Sequence, residues 1–228
     1  MGNKYTSEYW SNRGIGLNVL RAQHGRYVTG SIYFVKKTSD SDYQSFVNLH
    51  YEDTVYTTIA KAITAATSNL GDFICVDKGT YTEALTVSKN DLTLRGLGST
   101  PYSTVIDGDG SVAVTVTGVD TAFENLHIKT SGAAVNCLYG TGLVGAPNIQ
   151  RCVFTQTGLT SSAAVNIAGA TSRALFVAYC QFIGNNTNAD AVNDAGQGGF
   201  CLHNASDGFN TTEATCFGTA NYYGNSAT

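Results

Sequence analysis

Carboxylates from residue 107 onward are the residues whose types and spacing could do chemistry most directly. Hydrolysis of a polysaccharide needs two carboxyl groups roughly 5–10 Å apart, one of them with a raised pKa. Asp190 and Asp194 form the best such pair, since both are expected to lie in one glycine-rich loop. Chance alone would bring some pair within this distance, so a structural role is the stronger interpretation. The acidic residues considered are Asp107, Asp109, Asp120, Glu124, Asp190, Asp194, Asp207 and Glu213.

Nucleophilic catalysis has weaker support from the sequence. No serine or cysteine is surrounded by a recognisable motif, so a triad with one of the histidines cannot be argued. His127 and His203 fall in predicted strands, where surface histidines are common. The pattern of residues predicts neither a cofactor nor a metal. The four histidines are His24, His50, His127 and His203.

The six cysteines form no CxxC pair, which argues against a zinc site of paired cysteines. The polar N-terminus contains no apolar signal segment, and we therefore expect free thiols rather than disulfides. Cysteine is among the most buried residue types, so packing in the core is the expected role. They are Cys75, Cys137, Cys152, Cys180, Cys201 and Cys216.

Charge is sparse and unevenly distributed. Only 13% of residues are charged, about half the usual share of roughly 25%. Residues 1–37 carry six basic side chains and one acidic one, a net charge of +5. Because the whole chain has a net charge of −4, residues 38–228 carry −9. A basic arm on an acidic body suggests that the two parts face different partners, although a solvated basic surface would give the same pattern. The arm has no dense run of Lys or Arg and no stretch reaches 18 apolar residues, so we expect neither nucleic-acid binding nor a membrane span.

One helix is predicted, over residues 56–70. An i, i+4, i+7 apolar stripe begins at Ile59, and Thr57 or Thr58 could cap the N-terminus. Gly71 stands where a C′ glycine is expected. An amphipathic helix here would cover the open end of a β-rich array and protect its edge from aggregation.

From residue 72 onward the hydrophobic pattern has a period of two, in strands of three to five residues. Four similar segments recur, at 123–132, 149–158, 177–186 and 213–222. Aligning Leu126, Cys152, Cys180 and Cys216 gives steps of 26, 28 and 36 residues. Repeats of this size predict a solenoid in which each coil buries its neighbour's face, with the aligned residues forming an internal ladder.

Residues 72–110 carry three motifs that together resemble a known fold family. These are the turn Gly79-Thr-Tyr81-Thr-Glu83, the strand ending Leu92-Thr-Leu-Arg-Gly96, and the segment TVIDG at 104–108. They resemble the first coils of right-handed parallel β-helix proteins of the pectin lyase-like type. The resemblance implies an all-β fold, a short right-handed parallel β-helix with an N-terminal capping helix and an extended N-terminal arm.

The resemblance divides the chain into three parts. Residues 1–55 would form an arm and small anchoring module, residues 56–71 the capping helix, and residues 72–228 the β-helix. It is less specific for function, because these turns recur in esterases, lyases, hydrolases and non-enzymatic phage proteins.

Two enzymatic readings of the family can be compared with the residues. The pectinesterase active site needs a pair of Asp, an Arg and glutamines in later motifs, and none of the late glutamines has that context. A pectate lyase-like calcium site would use Asp107 and Asp109 near Arg151 or Arg173, since calcium prefers oxygen ligands. The sequence Asp-Gly-Asp-Gly at 107–110 is also an ordinary turn, which we favour.

Residues 24–70 resemble the segment that precedes a β-helix in tailed-phage virion proteins. This resemblance implies a non-enzymatic capsid decoration, cement or head-fibre protein, assembled in the host cytoplasm into the virion. It further implies a homotrimer whose arm binds other virion proteins, above all the major capsid protein. The expected anchoring residues are Tyr5, Tyr9, Trp10, Arg13, Arg21 and Arg26.

Two alternatives use the same scaffold. A tail-spike protein that binds or cleaves host polysaccharide, as a lyase or hydrolase, would show acids and an arginine converging in a lateral groove. A glycan-binding adhesin would instead line such a groove with exposed aromatic residues and no paired carboxylates.

Overall fold

The computed structural model describes residues 30–50, 52–133, 135–141, 147–158, 162–168, 175–185, 190–194, 199–209, 221–223 and 225–227. These residues form three parallel sheets that wind into a right-handed β-helix, as the sequence predicts. The all-β prediction is therefore confirmed. Neither of the helices in this part of the chain has the length and apolar character needed to cross a membrane.

Sheet A has nine strands among the described residues, and it opens each coil. They are β1 (Ile32–Val35), β2 (Val55–Tyr56), β3 (Phe73–Val76), β6 (Thr93–Gly96), β9 (Ala122–Glu124), β12 (Asn148–Gln150), β15 (Phe176–Ala178), β18 (Phe200–Leu202) and β20 (Asn221–Tyr223).

Sheet B follows sheet A in each coil, and seven of its strands lie in the described part of the chain. They are β4 (Gly79–Thr82), β7 (Thr104–Asp107), β10 (His127–Thr130), β13 (Val153–Gln156), β16 (Gln181–Ile183), β19 (Ala205–Asp207) and β21 (Ser226–Ala227).

Sheet C completes the coil and has five strands, so five described coils contribute to all three sheets. Its strands are β5 (Leu85–Val87), β8 (Val114–Val116), β11 (Leu138–Thr141), β14 (Val165–Ala168) and β17 (Val192–Asp194).

Every coil stacks on the next in parallel register, so equivalent side chains form ladders along the axis. Successive residues of a strand point to opposite faces. One residue in two therefore lies inside the helix, where Val, Ile, Leu, Phe and Cys side chains form one continuous core. The rings of Phe154 and Phe182 stack there on neighbouring coils, with centroids 5.1 Å apart.

The capping helix, α2, runs from Ile59 to Ala65 and is shorter than the sequence predicts. Its buried residues Ile59, Ala62 and Ile63 join the inner core at the first coil. Thr58 caps it as predicted, accepting a hydrogen bond from the N–H of Lys61. Gly71 is not its C′ residue, because the chain turns into extended backbone at Ala66.

A second helix, α1 (Tyr43–His50), was not predicted. It covers the outer face of sheet A at the first coils, where Val47 packs in a cluster with Phe34, Phe73 and Cys75. Strand β1 pairs with β3 along its whole length, and β2 crosses the predicted boundary at residue 55. Residues 30–56 thus extend the sheet of the β-helix, while the three-part division of the chain stays a prediction.

The ladder between sheets A and B differs from the predicted one. Register places Leu126, Cys152, Cys180, Asn204 and Asn225 on successive coils, each directly before its sheet B strand. The steps are 26, 28, 24 and 21 residues. The prediction of Cys216 as the fourth member was wrong, because Asn204 occupies that position and the coil is shorter than predicted. Cys216 itself lies outside the described residues.

The cysteine prediction is confirmed for five of the six residues. All five described cysteines are buried free thiols. Burial raises the pKa of Cys75 and that of Cys137 to about 12, which makes both thiols poor nucleophiles.

Candidate functional site: a lateral aromatic groove

Four successive coils, from the one that contains β9 to the one that contains β18, turn from sheet A into sheet B through one residue with positive φ. These residues are Asn125 (52°), Arg151 (50°), Tyr179 (56°) and His203 (52°), which stack as a column on the outside of the helix. Asparagine tolerates this left-handed conformation, whereas a bulky side chain does so at a cost. The prediction that His203 lies in a strand was wrong, because it occupies this turn.

Hydrogen bonds between coils hold the column in place. The N–H of Cys180 donates to Oδ1 of Asn204 at 2.9 Å, and the N–H of Asn204 donates to Oδ1 of Asn225 at 2.7 Å. Nδ2 of Asn204 also donates to the carbonyl oxygen of Val177 at 3.0 Å. The asparagines thus satisfy buried backbone groups that the turn leaves unpaired within its own coil.

A loop from sheet A forms the opposite wall of a groove beside this column. Nδ2 of Asn125 donates to the carbonyl oxygens of Gly96 and Gly98 at 2.9 and 2.7 Å, which fixes the start of the loop. A short 3₁₀ turn at Pro101–Ser103 then carries Tyr102 over sheet B. The hydroxyl of Tyr102 donates to Oε1 of Gln181 at 2.8 Å, although 79 residues separate the two.

The groove between the two walls has a volume of about 440 Å³. Cys152, Val153 and Cys180 form its floor, while Tyr179 and His203 form the wall opposite Tyr102. The rings of Tyr179 and His203 are nearly parallel, with centroids 5.4 Å apart and an interplanar angle of 13°. Tyr179 is 62% exposed and Tyr102 is 50% exposed, so both present aromatic surface to solvent.

His127 lies beneath the ring of Tyr102, at a centroid distance of 5.2 Å. Its Nε2 is 2.9 Å from Oγ1 of Thr155 on the next coil. Burial lowers the pKa of His127 to about 4, and the nearby Lys129 adds to this effect. The imidazole is therefore neutral at physiological pH and contributes polarity without charge.

The carboxylates proposed from the sequence do not form this groove. Asp107 pairs with Lys129 at 2.8 Å on the outer face of sheet B and accepts a hydrogen bond from the N–H of Asp109, as in an ordinary turn. Arg151 belongs to the turn column, and Arg173 lies outside the described residues. In the part of the chain that the structure describes, no group of three or more His, Cys, Asp or Glu is placed to hold a metal ion.

Asp194 lies in strand β17, not in a loop, because its register partner Ile167 extends the pairing to this residue. The side chain is buried, which raises its pKa, and Oδ2 accepts a hydrogen bond from the N–H of Gly199 at 3.1 Å. The predicted placement of both Asp190 and Asp194 in one loop was therefore wrong for Asp194.

Other acids have structural contacts. The carboxylate of Glu83 accepts hydrogen bonds from the N–H groups of Ile59 and Ala60, both at 3.0 Å, and so caps helix α2. Buried Asp72 accepts from the N–H groups of Ser31 and Thr67 at 2.6 and 2.7 Å. The Glu83 turn therefore has a structural role in this chain.

All six predicted anchoring residues lie outside the described residues, and their role stays a prediction. They are Tyr5, Tyr9, Trp10, Arg13, Arg21 and Arg26.

The groove itself was not predicted from the sequence. Its available signal was the residue directly before each ladder position, which reads Asn, Arg, Tyr and His along the repeats.

Comparison with solved structures supports the fold. A pectin methylesterase from Erwinia chrysanthemi superposes with a TM-score of 0.50 and 15% identity, covering 80% of this chain and 56% of the other. A mutant pectin methylesterase in complex with a hexasaccharide gives a TM-score of 0.48 and 13% identity, with a match that covers 78% of this chain and 80% of the other. The chain thus spans little more than half the length of the first of these enzymes. No family model matches the sequence, and no curated protein matches it either. The likeness to the first enzyme shows the fold alone, a right-handed parallel β-helix like that of pectin-processing enzymes, as the sequence resemblance implied.

Proposed function

We propose that this chain is a non-enzymatic structural protein of a tailed-phage virion, of the capsid decoration, cement or head-fibre type. Its arm binds the major capsid protein and its β-helix projects from the shell as a homotrimer. The observation that supports the proposal is the use of acidic side chains in the described residues, where Glu83, Asp72, Asp107 and Asp194 hold the scaffold together and do not converge on one groove.

The acids with described contacts illustrate this use. Glu83 caps the helix that closes the first coil, and Asp72 joins the segments on either side of that helix. Asp107 is neutralised by Lys129, and Asp194 is bound to backbone inside the solenoid. A hydrolase or lyase would need such groups to face substrate together.

Charge supports attachment through the arm. Buried Lys36 lies among carboxylates, in contact with Asp77 and 3.0 Å from Asp42. Burial lowers the pKa of Lys36, but its hydrogen bonds to Asp77 and Asp42 raise the pKa above its usual value, so the charge is permanent and internally paired. Residues 1–29 carry four basic side chains and one acidic one, a net charge of +3 that an acidic shell surface would attract.

Co-sedimentation with empty shells, assembled from the major capsid protein of the same virus, tests the proposal. We expect the full chain to bind and a chain lacking residues 1–29 to remain in the supernatant. The deletion stops at residue 29 because strand β1 and helix α1 complete the first coils. As matched charge variants, Arg13→Ala with Arg21→Ala should weaken binding, whereas Lys61→Ala with Lys89→Ala in the body should not.

Binding should also weaken with added salt, because exposed charges are screened. Failure of the full chain to bind shells at low salt would contradict the proposal. A screen for polysaccharide cleavage would then test the tail-spike alternative.

A further inference from the structure

Tyr179 combines exposure with an unfavourable backbone conformation. Its φ of 56° suits asparagine, which occupies the equivalent position at Asn125. Packing does not account for a large ring at this position, because 62% of the residue is exposed. Unfavourable conformations that persist at exposed positions are often associated with function.

Tyr179 lines the groove together with aromatic, apolar and amide side chains. Its ring continues into the parallel ring of His203, and together they give an aromatic face on one side of the groove. Tyr102 faces them across a floor of apolar and thiol groups. Because Gln181 accepts from Tyr102 through Oε1, its NH₂ group retains two donors for another partner.

The polarity of the lining selects the class of ligand. None of the lining residues is Lys, Arg, Asp or Glu, so recognition depends on aromatic faces and on hydroxyl and amide hydrogen bonds. Strands β13 and β16 in the floor are paired on both sides, which leaves no free edge for an added peptide strand. Sugar rings present C–H groups on their faces and hydroxyls at their edges, and they fit both requirements.

We infer that the groove between Tyr102 and the Tyr179–His203 pair binds an uncharged saccharide, by stacking on the aromatic wall and hydrogen bonding to Gln181. The binding is independent of the attachment of the arm. Absence of saccharide binding would not affect binding to capsid shells, and absence of shell binding would not affect saccharide binding.

Calorimetric titration of the full chain with neutral hexasaccharides tests this inference. The probes are cellohexaose, chitohexaose and mannohexaose, with a hexagalacturonate as the acidic comparison. We expect at least one neutral probe to bind and the acidic one to bind more weakly. A shorter disaccharide of the same sugar distinguishes a glycan chain from a free sugar, since only a chain would gain affinity from length.

Tyr179→Asn is the decisive variant, because asparagine suits the positive φ. It should lower the affinity about tenfold or more, as truncation of a central aromatic contact does, while leaving the melting temperature unchanged or higher. Phe200→Thr is the matched control, since Phe200 is 44% exposed on the outer face of sheet A, outside the groove. Tyr102→Phe keeps the ring, removes the hydrogen bond to Gln181, and should weaken binding by a smaller factor.

Three results would overturn the inference. The first is that no neutral hexasaccharide binds the wild-type chain at millimolar concentration. The second is that Tyr179→Asn and Tyr102→Phe both bind as tightly as wild type. The third is that Tyr179→Asn changes the mass of the protein in solution, which would assign the aromatic wall to contact between copies of the chain.

Discussion

Asn204 offers the sharpest test of the hydrogen-bonded ladder, through the substitution Asn204→Ala. Asn204 is 2% exposed, and its amide serves three partners: the Cys180 N–H, the Val177 carbonyl oxygen and Oδ1 of Asn225. A buried N–H left without an acceptor costs about 1–3 kcal/mol, and each lost amide bond about 1 kcal/mol. With one such N–H and two lost amide bonds, we expect the free energy of unfolding to fall by about 3–5 kcal/mol.

Urea unfolding followed by circular dichroism measures this loss, and amide exchange of Cys180 measures it locally. The control is Asn185→Ala, where an exposed asparagine makes one hydrogen bond to the Thr157 carbonyl oxygen, at 2.8 Å. We expect the control to change stability by about 0.5 kcal/mol or less. If Asn204→Ala were as stable as the control, with Cys180 still protected from exchange, the ladder would not stabilise the coils as argued.

Three further substitutions test the rest of the scaffold. Cys180→Asp should lower stability by several kcal/mol, because it buries an unpaired charge, and a wild-type melting curve would contradict the packing of the cysteine ladder. Glu83→Ala should cost about 1–2 kcal/mol in urea unfolding, since the N–H groups of Ile59 and Ala60 lose their cap; Glu83→Gln should cost less. His127 has a folded pKa of about 4, below the usual 6.5, so the unfolded chain binds more protons between these values. The free energy of unfolding should therefore fall as the pH drops from about 6.5 to about 4. His127→Gln should remove that part of the pH dependence. A variant with the same pH profile as the wild type would contradict this assignment to His127.

The fold could be predicted because its signals are local. The turn containing Gly79, Tyr81 and Glu83 and the period-two strands identify the coils directly, and the apolar stripe from Ile59 identifies the capping helix. Helix α1 could not be predicted, because its residues have weak helix propensity and depend on contacts between Val47 and the outer face of sheet A. Tertiary packing provides most of the stability of such short helices.

The ladder was predicted only as far as residue type repeats. Leu126, Cys152 and Cys180 are similar apolar residues and could be aligned, but the next position is Asn204, whose side chain accepts a hydrogen bond from the N–H of Cys180 on the previous coil. An alignment based on cysteine therefore did not find Asn204. Register in a solenoid is set by strand pairing, and coil length varies freely in the turns.

The groove depends on contacts between residues that are distant in sequence. Tyr102 reaches Gln181 across three coils, and Tyr179 meets His203 only through the register of successive turns. No spacing rule in the sequence connects these residues. A positive φ at a tyrosine was equally hidden, because the pattern around it is that of an ordinary strand end.

The attachment of the arm to a capsid is the central claim, and cryo-electron microscopy of shells saturated with the full chain tests it most directly. We predict added density on the outer surface, with the N-terminal end of the β-helix nearest the shell, its C-terminal coils pointing outward, and three copies around each attachment point. Shells without added density, or density that persists when residues 1–29 are deleted, would contradict the account.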